Sequence, residues 1–189
     1  MSLKPIDPKT LELNPFTTIG TEWMLLTAGN EDKHNTMTVS WGGLGVLWRK
    51  NVTYVFVRPQ RYTMEFMDRE EYYSLCVFDE NYKNALKLCG TKSGREIDKD
   101  KETGLTVMFD QAAPYYAEAK LVFICKKMSK QKMDPSSFID STIDETFYKE
   151  KDYHEVFVGD IVTILKYSLQ GTTQGNGLTG GLPPVRFSM

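Results

Sequence analysis

The sequence predicts a mainly β protein: an antiparallel sheet closed, or partly closed, into a barrel, with short helices inserted between strands. Three observations carry this. Six or seven runs rich in β-branched and aromatic residues recur at strand length. Helical periodicity is confined to short stretches. Strand and helix do not alternate regularly, as they would around a parallel sheet.

Residues 1–15 hold three prolines and little periodicity, and read as an arm lying over the domain. Residues 22–29, EWMLLTAG, form a first strand that ends at the turn-rich NEDKHN. Residues 36–47 form a second, whose glycines suggest a bulge or a close approach by another group. Residues 49–51 make a turn, and 52–57, VTYVFV, a third strand that Pro59 stops. Thr63 is placed to cap a short helix, with Glu65 and Asp68 in its early turns. Residues 72–78 are a fourth strand. In residues 81–89, Tyr82, Ala85, Leu86 and Cys89 share one helical face, and Gly90 is a natural stop. Residues 91–103 form a charged loop with room for one helical turn. Strands follow at 105–109 and 117–128, helical character at 135–147, and a closing strand at 153–167. Residues 168–189 turn rich in Gly, Thr and Gln and read as a poorly packed extension without chemistry. The main domain is therefore 16–167.

The chain of 189 residues suits one domain. A net charge of -2 gives no basic field for nucleic acid. No apolar run is long enough to span a membrane, and the amino terminus lacks a leader-like apolar segment. Cys76, Cys89 and Cys125 are widely spaced, with no CxxC pair and no Cys/His cluster, so no metal site is expected. Cys76 and Cys125 sit in apolar runs as small core residues, and a reducing cytoplasm suits them. No GxGxxG, P-loop, HExxH or GxSxG motif is present.

The stretch 35–63 carries the candidate chemistry. Alternation along the strand places Thr36, Thr38 and Ser40 on one face and Met37 and Val39 on the other. Small hydroxyl residues leave backbone reachable by a flat ligand, and Trp41 follows directly. Arg58, Arg61 and Thr63 then surround a strand-to-helix corner, where cations, a hydroxyl and free N–H groups suit an anion. From residue types alone, an exposed sheet face followed by a solvated basic loop fits as well.

Four segments in order change that balance: NTMTVSWGG at 35–43, VFVRPQRYT at 55–63, GTKSGREIDK at 90–99 and HEVFVGDIV at 154–162. Together they resemble the flavin reductase-like family. These are FMN-binding split barrels that include flavoredoxin and the small reductase components of two-component monooxygenases, and the flavoredoxin-like branch fits better. The resemblance spans about residues 16–167. It implies a six-stranded antiparallel Greek-key split barrel with short helical insertions, dimeric, with FMN near the subunit interface. It implies contact between the flavin ring and the backbone of Thr36, Met37, Thr38, Val39 and Ser40, with Asn35 and Trp41 also at the cofactor. It places Arg58, Pro59, Arg61, Tyr62 and Thr63 at the phosphate, and Ser93 and Arg95 near the cofactor.

The implied activity passes reducing equivalents from NAD(P)H to flavin and on to an acceptor, which could be a protein. The alternative is a flavin-carrying electron-transfer protein without NAD(P)H oxidase activity. A third reading turns the pocket over to haem or a pyridoxal-type phosphate. Flavin does the chemistry in such proteins, so no catalytic side chain is expected.

Several single residues have two readings. His34 reads as an exposed loop residue. His154 is open between a packed or solvated histidine and a residue at the ring edge. Lys92 and Arg95 read as a charged surface loop rather than a nicotinamide-phosphate site. Trp23, Trp41 and Trp48 read as core, with Trp41 the one favoured for ligand contact. Tyr115 and Tyr116 read as packing at a strand edge rather than covering a mouth.

Overall fold

The computed structural model describes residues 2–168, so the Gly/Thr/Gln-rich extension lies, Ser168 apart, outside the described residues. Ten strands occur among them: β1 (Ser2–Pro5), β2 (Met24–Gly29), β3 (His34–Val39), β4 (Gly42–Leu47), β5 (Lys50–Val57), β6 (Tyr72–Val77), β7 (Val107–Met108), β8 (Tyr115–Tyr116), β9 (Leu121–Lys132) and β10 (Glu155–Ser168). The α-helices are short: α1 (Pro15–Thr17), α2 (Thr63–Arg69), α3 (Lys83–Thr91), α4 (Lys99–Thr103) and α5 (Thr142–Phe147).

Eight strands form one antiparallel sheet in the order β3-β2-β6-β9-β10-β5-β4, with β1 also pairing β10. The long β10 makes this possible. Its first half pairs β5, from Glu155 opposite Val57 to Asp160 opposite Val52. Its far end pairs β1, from Leu165 opposite Pro5 to Ser168 opposite Ser2. β7 and β8 make a separate two-stranded sheet.

The mainly β, antiparallel architecture expected from the sequence is present, with eight strands in the main sheet rather than six. Two differences account for the extra strands. Residues 2–5 pair as a strand instead of lying loosely over the domain. The expected single strand 36–47 breaks at Ser40 and Trp41 into β3 and β4, which lie at opposite ends of the sheet order. Gly42 begins β4 where a Cβ would lie 2.6 Å from the carbonyl oxygen of Tyr54, so backbone passes too closely there for a side chain. The β4–β5 turn is Trp48–Arg49, both with positive φ, and Lys50 and Asn51 belong to β5. Positive φ at both central residues is the twist-matched hairpin geometry, here adopted without glycine.

Alternation along the strands builds two cores. Leu26, Met37, Val39, Val55, Phe123 and Phe157 belong to the larger cluster, to which β2, β3, β5, β6, β9 and β10 all contribute. The opposite residues of β2, β6 and β9, among them Leu25, Cys76 and Ile124, pack with Leu86 and Cys89 of α3 and with Tyr115 and Tyr116 of β8. Both tyrosines are buried, which is the packing role expected of them. All three cysteines are free and buried; burial pushes the thiols of Cys76 and Cys125 up to about 12 and that of Cys89 to about 11, so none is a ready nucleophile.

Two helix ends differ from expectation. Thr63 is the first residue of α2 rather than its cap, and its hydroxyl is engaged elsewhere. Helix α3 runs through Gly90 to Thr91, and Gly90 lies against the Thr38 side chain, where a Cβ would sit 3.2 Å from it. No helix among the described residues is long and apolar enough to cross a membrane.

Candidate functional site

A cleft runs beside β3, made of two cavities that share Met37, Arg58 and Arg61. One, of about 210 Å³, is lined by residues 37–41 with Phe56 and His154. The other, of about 280 Å³, is lined by Asn35, Gln60, Tyr62, Thr63, residues 91–94 and Lys99. All the sequence-predicted site residues except Thr36, Pro59 and Arg95 line one or both.

Among the described residues β3 stands at the end of the sheet order and pairs only β2, so one edge of its backbone is free of ladder bonds to them. Which groups point that way follows from the register. The Asn30 N–H donates to the Lys33 carbonyl at 3.1 Å, closing the β2–β3 turn. Counting along the ladder, Thr36 and Thr38 then fall at positions whose N–H and C=O point away from β2. The Thr36 carbonyl does so: it accepts from the Lys99 ammonium at 2.7 Å. The backbone of Thr38 is thus presented along the same free edge.

The threonine side chains are not presented to the cleft as the strand alternation suggested. The Thr38 hydroxyl donates to the Leu86 carbonyl of α3. The Thr36 hydroxyl donates to the Leu26 carbonyl and lies 2.9 Å from the Thr27 hydroxyl. This face of β3 holds α3 in place, and β3 offers a ligand its backbone edge instead.

At one end of the cleft the walls are aromatic. Trp41, 42% exposed, meets Phe147 edge-on at 5.5 Å and His154 at 5.1 Å between centroids. His154 is buried, and its Nδ1 lies 2.9 Å from the Tyr148 hydroxyl. Burial, helped by the positive charges of Arg58 and Arg61, pushes the imidazole down to about 4, so it is neutral at pH 7. Trp48, expected in the core, is 58% exposed on the β4–β5 turn.

At the other end, polar donors converge. The Asn35 amide donates to the Thr63 hydroxyl at 2.7 Å and to the Thr36 carbonyl at 3.3 Å, tying β3 to the start of α2. Arg61 donates to the Gly90 carbonyl at 2.7 Å. The Ser93 hydroxyl accepts from the Arg95 N–H at 3.2 Å. Arg58 lines the cleft, but its guanidinium is paired with Asp152 and donates to the Phe147 carbonyl at 2.9 Å. Arg95 is paired with Glu65 over the Tyr62 ring, and Pro59 is exposed on the outer turn.

Lys99 is the main lining residue that reading residue types passed over. It is buried, and burial lowers its pKa. The one signal for it was its place at the end of GTKSGREIDK, in a charged stretch where lysine is usually a surface residue. His34, expected on an exposed loop, is half-buried with its Nε2 2.6 Å from Asp100, which also accepts from Tyr116 at 2.7 Å.

The arrangement suits a ligand that is flat and uncharged at one end and anionic at the other. Among the described residues no His, Cys, Asp and Glu group could hold a metal ion. Among the described residues the cleft lining contains no carboxylate and no cysteine, and its titratable groups are a neutral histidine, a tyrosine and cations.

The flavin reductase like domain matches residues 16–173 of the chain. Solved structures share the fold. A flavoredoxin from Methanosarcina acetivorans aligns with a TM-score of 0.60 at 21% identity, covering 88% of this chain and 76% of its own. An FMN-binding protein from Thermus thermophilus aligns at 0.59 and 17% identity, covering 85% and 76%. The NADH:FAD oxidoreductase SgcE6 from Streptomyces globisporus aligns at 0.58 and 14% identity, covering 78% and 75%. Among curated proteins none matches it.

Proposed function

The chain belongs to the flavin reductase-like family, and from that premise we propose that it binds FMN in the cleft beside β3 and works as an oxidoreductase, taking reducing equivalents from NAD(P)H and handing them to an acceptor. One observation carries the reading: a single cleft joins an aromatic end at Trp41 and the neutral His154 to a hydroxyl-bearing end at Thr63 and Ser93, with Arg61 bordering both. These match the two ends of a flavin mononucleotide.

Flavin, when bound, supplies the redox chemistry by accepting a hydride and releasing electrons. The chain's part is to bind and orient. The free backbone edge at Thr38 supplies an N–H and a C=O for the polar rim of a flat ring. Trp41 and His154 wall that end and limit water there. Arg61 supplies a charge-assisted donor for the phosphate, and Ser93 and Thr63 supply hydroxyls. Asn35 orients the Thr63 hydroxyl. The neutral His154 offers one ring N–H and no positive charge.

A homodimer belongs to the same reading. Trp41, Val46, Trp48 and Phe147 are large apolar side chains left exposed beside the ring end and on β4 and its turn, where a second subunit would cover them. Three buried free thiols suit a reducing cytoplasm.

Titration of the purified protein with FMN tests the binding, by quenching of flavin fluorescence and a shifted flavin absorption band. NAD(P)H oxidation above the free-flavin background then tests the activity. Binding without oxidation would make the protein an electron carrier, and no binding would remove the flavin assignment.

A further inference from the structure

We propose that the groove beside the end of β10 is a docking site for this chain's own segment 182–187, LPPVRF, which lies in the extension that follows β10.

The groove has a volume of about 540 Å³. Val77 of β6 and Leu121 of β9, partners across the ladder, line it together with Tyr167 of β10. The amino-terminal arm supplies the opposite wall through Leu11 and Leu13, both half-buried against the larger core. The groove shares no lining residue with the cleft beside β3, so the flavin reading does not account for it. Its size is that of a ligand site.

The point where β10 ends favours an occupant from the same chain. Tyr167 lines the groove, and Ser168 is the last described residue. The 13 residues 169–181 that follow hold five glycines and no charge. A Gly-rich stretch of that length spans about 20 Å as a random chain. Tethering therefore holds residues 182–187 near the groove at an effective concentration in the millimolar range, so a weak fit suffices.

The residues of the segment match the groove. Pro183 and Pro184 favour an extended polyproline conformation with three residues per turn. Leu182 and Val185 then project from one edge, about 9 Å apart. Segments of this kind lose little conformational freedom on docking and bind grooves that offer aromatic rings, as Tyr167 does here. Arg186 is the one charged side chain in 169–189. Of the acids lining the groove, Glu22 is paired with Lys120, whereas Glu12 forms no ion pair among the described residues. Arg186 is the complement of Glu12.

The experiment compares the full-length wild type with Leu182→Ser/Val185→Ser, whose changes lie outside residues 2–168. Hydrogen exchange of residues 11–18 and the rate of tryptic cleavage after Arg186 are both read by mass spectrometry. Both are expected to be about tenfold or more slower in wild type, the protection given by an effective concentration ten times the docking constant. Glu12→Lys should speed both. Glu12→Lys combined with Arg186→Glu should restore the slow exchange. Equal exchange in wild type and Leu182→Ser/Val185→Ser overturns the proposal. Protection that fades on hundredfold dilution also overturns it, by giving the groove to a second copy's segment. An unchanged rate in Glu12→Lys overturns the placing of Arg186.

Discussion

The hydroxyl of Tyr148 lies 2.9 Å from Nδ1 of His154, and 3.3 Å from the sulfur of Met133. An imidazole nitrogen accepts far better than a thioether, so the hydroxyl donates to Nδ1 and the histidine carries its proton on Nε2. Tyr148 thus fixes the tautomer, while burial and the charges of Arg58 and Arg61 keep the ring neutral.

Acid should therefore destabilise the fold through His154. An unfolded histidine titrates at about 6.5, whereas burial holds His154 down to about 4. Between those values the unfolded chain binds the extra proton and the folded chain does not, so stability falls as pH falls through that window, by roughly 3 kcal/mol at most. Urea unfolding at pH 7, 5.5 and 4.5 measures the loss. Tyr148→Phe removes a donor that favours the neutral ring, so the His154 pKa should rise, as read from its ring-proton NMR shifts. An unshifted titration would mean that the hydroxyl does not set the protonation state.

Arg58 and Arg61 should separate cleanly, although both sit in VRPQRYT. Arg61→Ala removes a cation with no acidic partner and should weaken FMN binding about tenfold to a hundredfold with little change in melting temperature. Arg58→Ala breaks a pair with Asp152 and a bond to the Phe147 carbonyl. It should lower stability by about 1–3 kcal/mol, leaving the 147–152 segment less well held. Thermal melts beside FMN titrations decide between them; equal effects on binding would mean that Arg58 also faces the phosphate.

Gly94→Ala should disturb the phosphate end from behind. A Cβ at Gly94 would overlap Oδ1 of Asn35, whose amide is tied to the Thr63 hydroxyl at 2.7 Å. Asn35 would have to turn away, losing about 1 kcal/mol or more with that bond. FMN affinity should fall, and Asn35→Ala combined with Gly94→Ala should cost no more than Asn35→Ala alone. Additive losses would show that the two residues act separately.

Much of this site was legible because its residue types carry their chemistry locally. Arg61 and Thr63 could be placed together from the strand–helix corner they flank, whereas their meeting with the strand 35–40 was implied only by the resemblance to the family. The threonine face was misread because alternation says which side chains share a face, not which element covers it, and α3 lies 45 residues or more downstream. Lys99 was invisible for a related reason. Nothing local marks a lysine in a charged stretch as buried; its burial comes from the carbonyls of Thr36 and Cys89 meeting it in three dimensions. The missed strand β1 is likewise a long-range event, a proline-rich arm paired with the far end of β10. The break between β3 and β4 had a local trace in its glycines, but the role of Gly42 depends on the approach of Tyr54.

The barrel interior supports a last prediction. The Thr53 and Tyr73 hydroxyls lie 2.6 Å apart, both fully buried, beside Cys125. The Tyr73 hydroxyl occupies the space where Gly159 has no side chain, at an irregularity in the β9–β10 ladder. Gly159→Ala should therefore destabilise the protein by about 1–3 kcal/mol, the usual range for overpacking a filled core. Removing the hydroxyl relieves the tightest contact of the added Cβ and leaves ring carbons at 2.7 and 2.9 Å, so Tyr73→Phe should rescue Gly159→Ala only in part: the double variant should be more stable than the sum of the single losses by about 1 kcal/mol. Tyr73→Phe alone should cost about 1 kcal/mol, since Thr53 retains Cys125 as a weaker partner. Urea unfolding of the four proteins gives the coupling directly. A coupling of zero would mean that β10 shifts to admit the methyl, and that the close approach of Gly159 to Tyr73 does not hold the ladder in register.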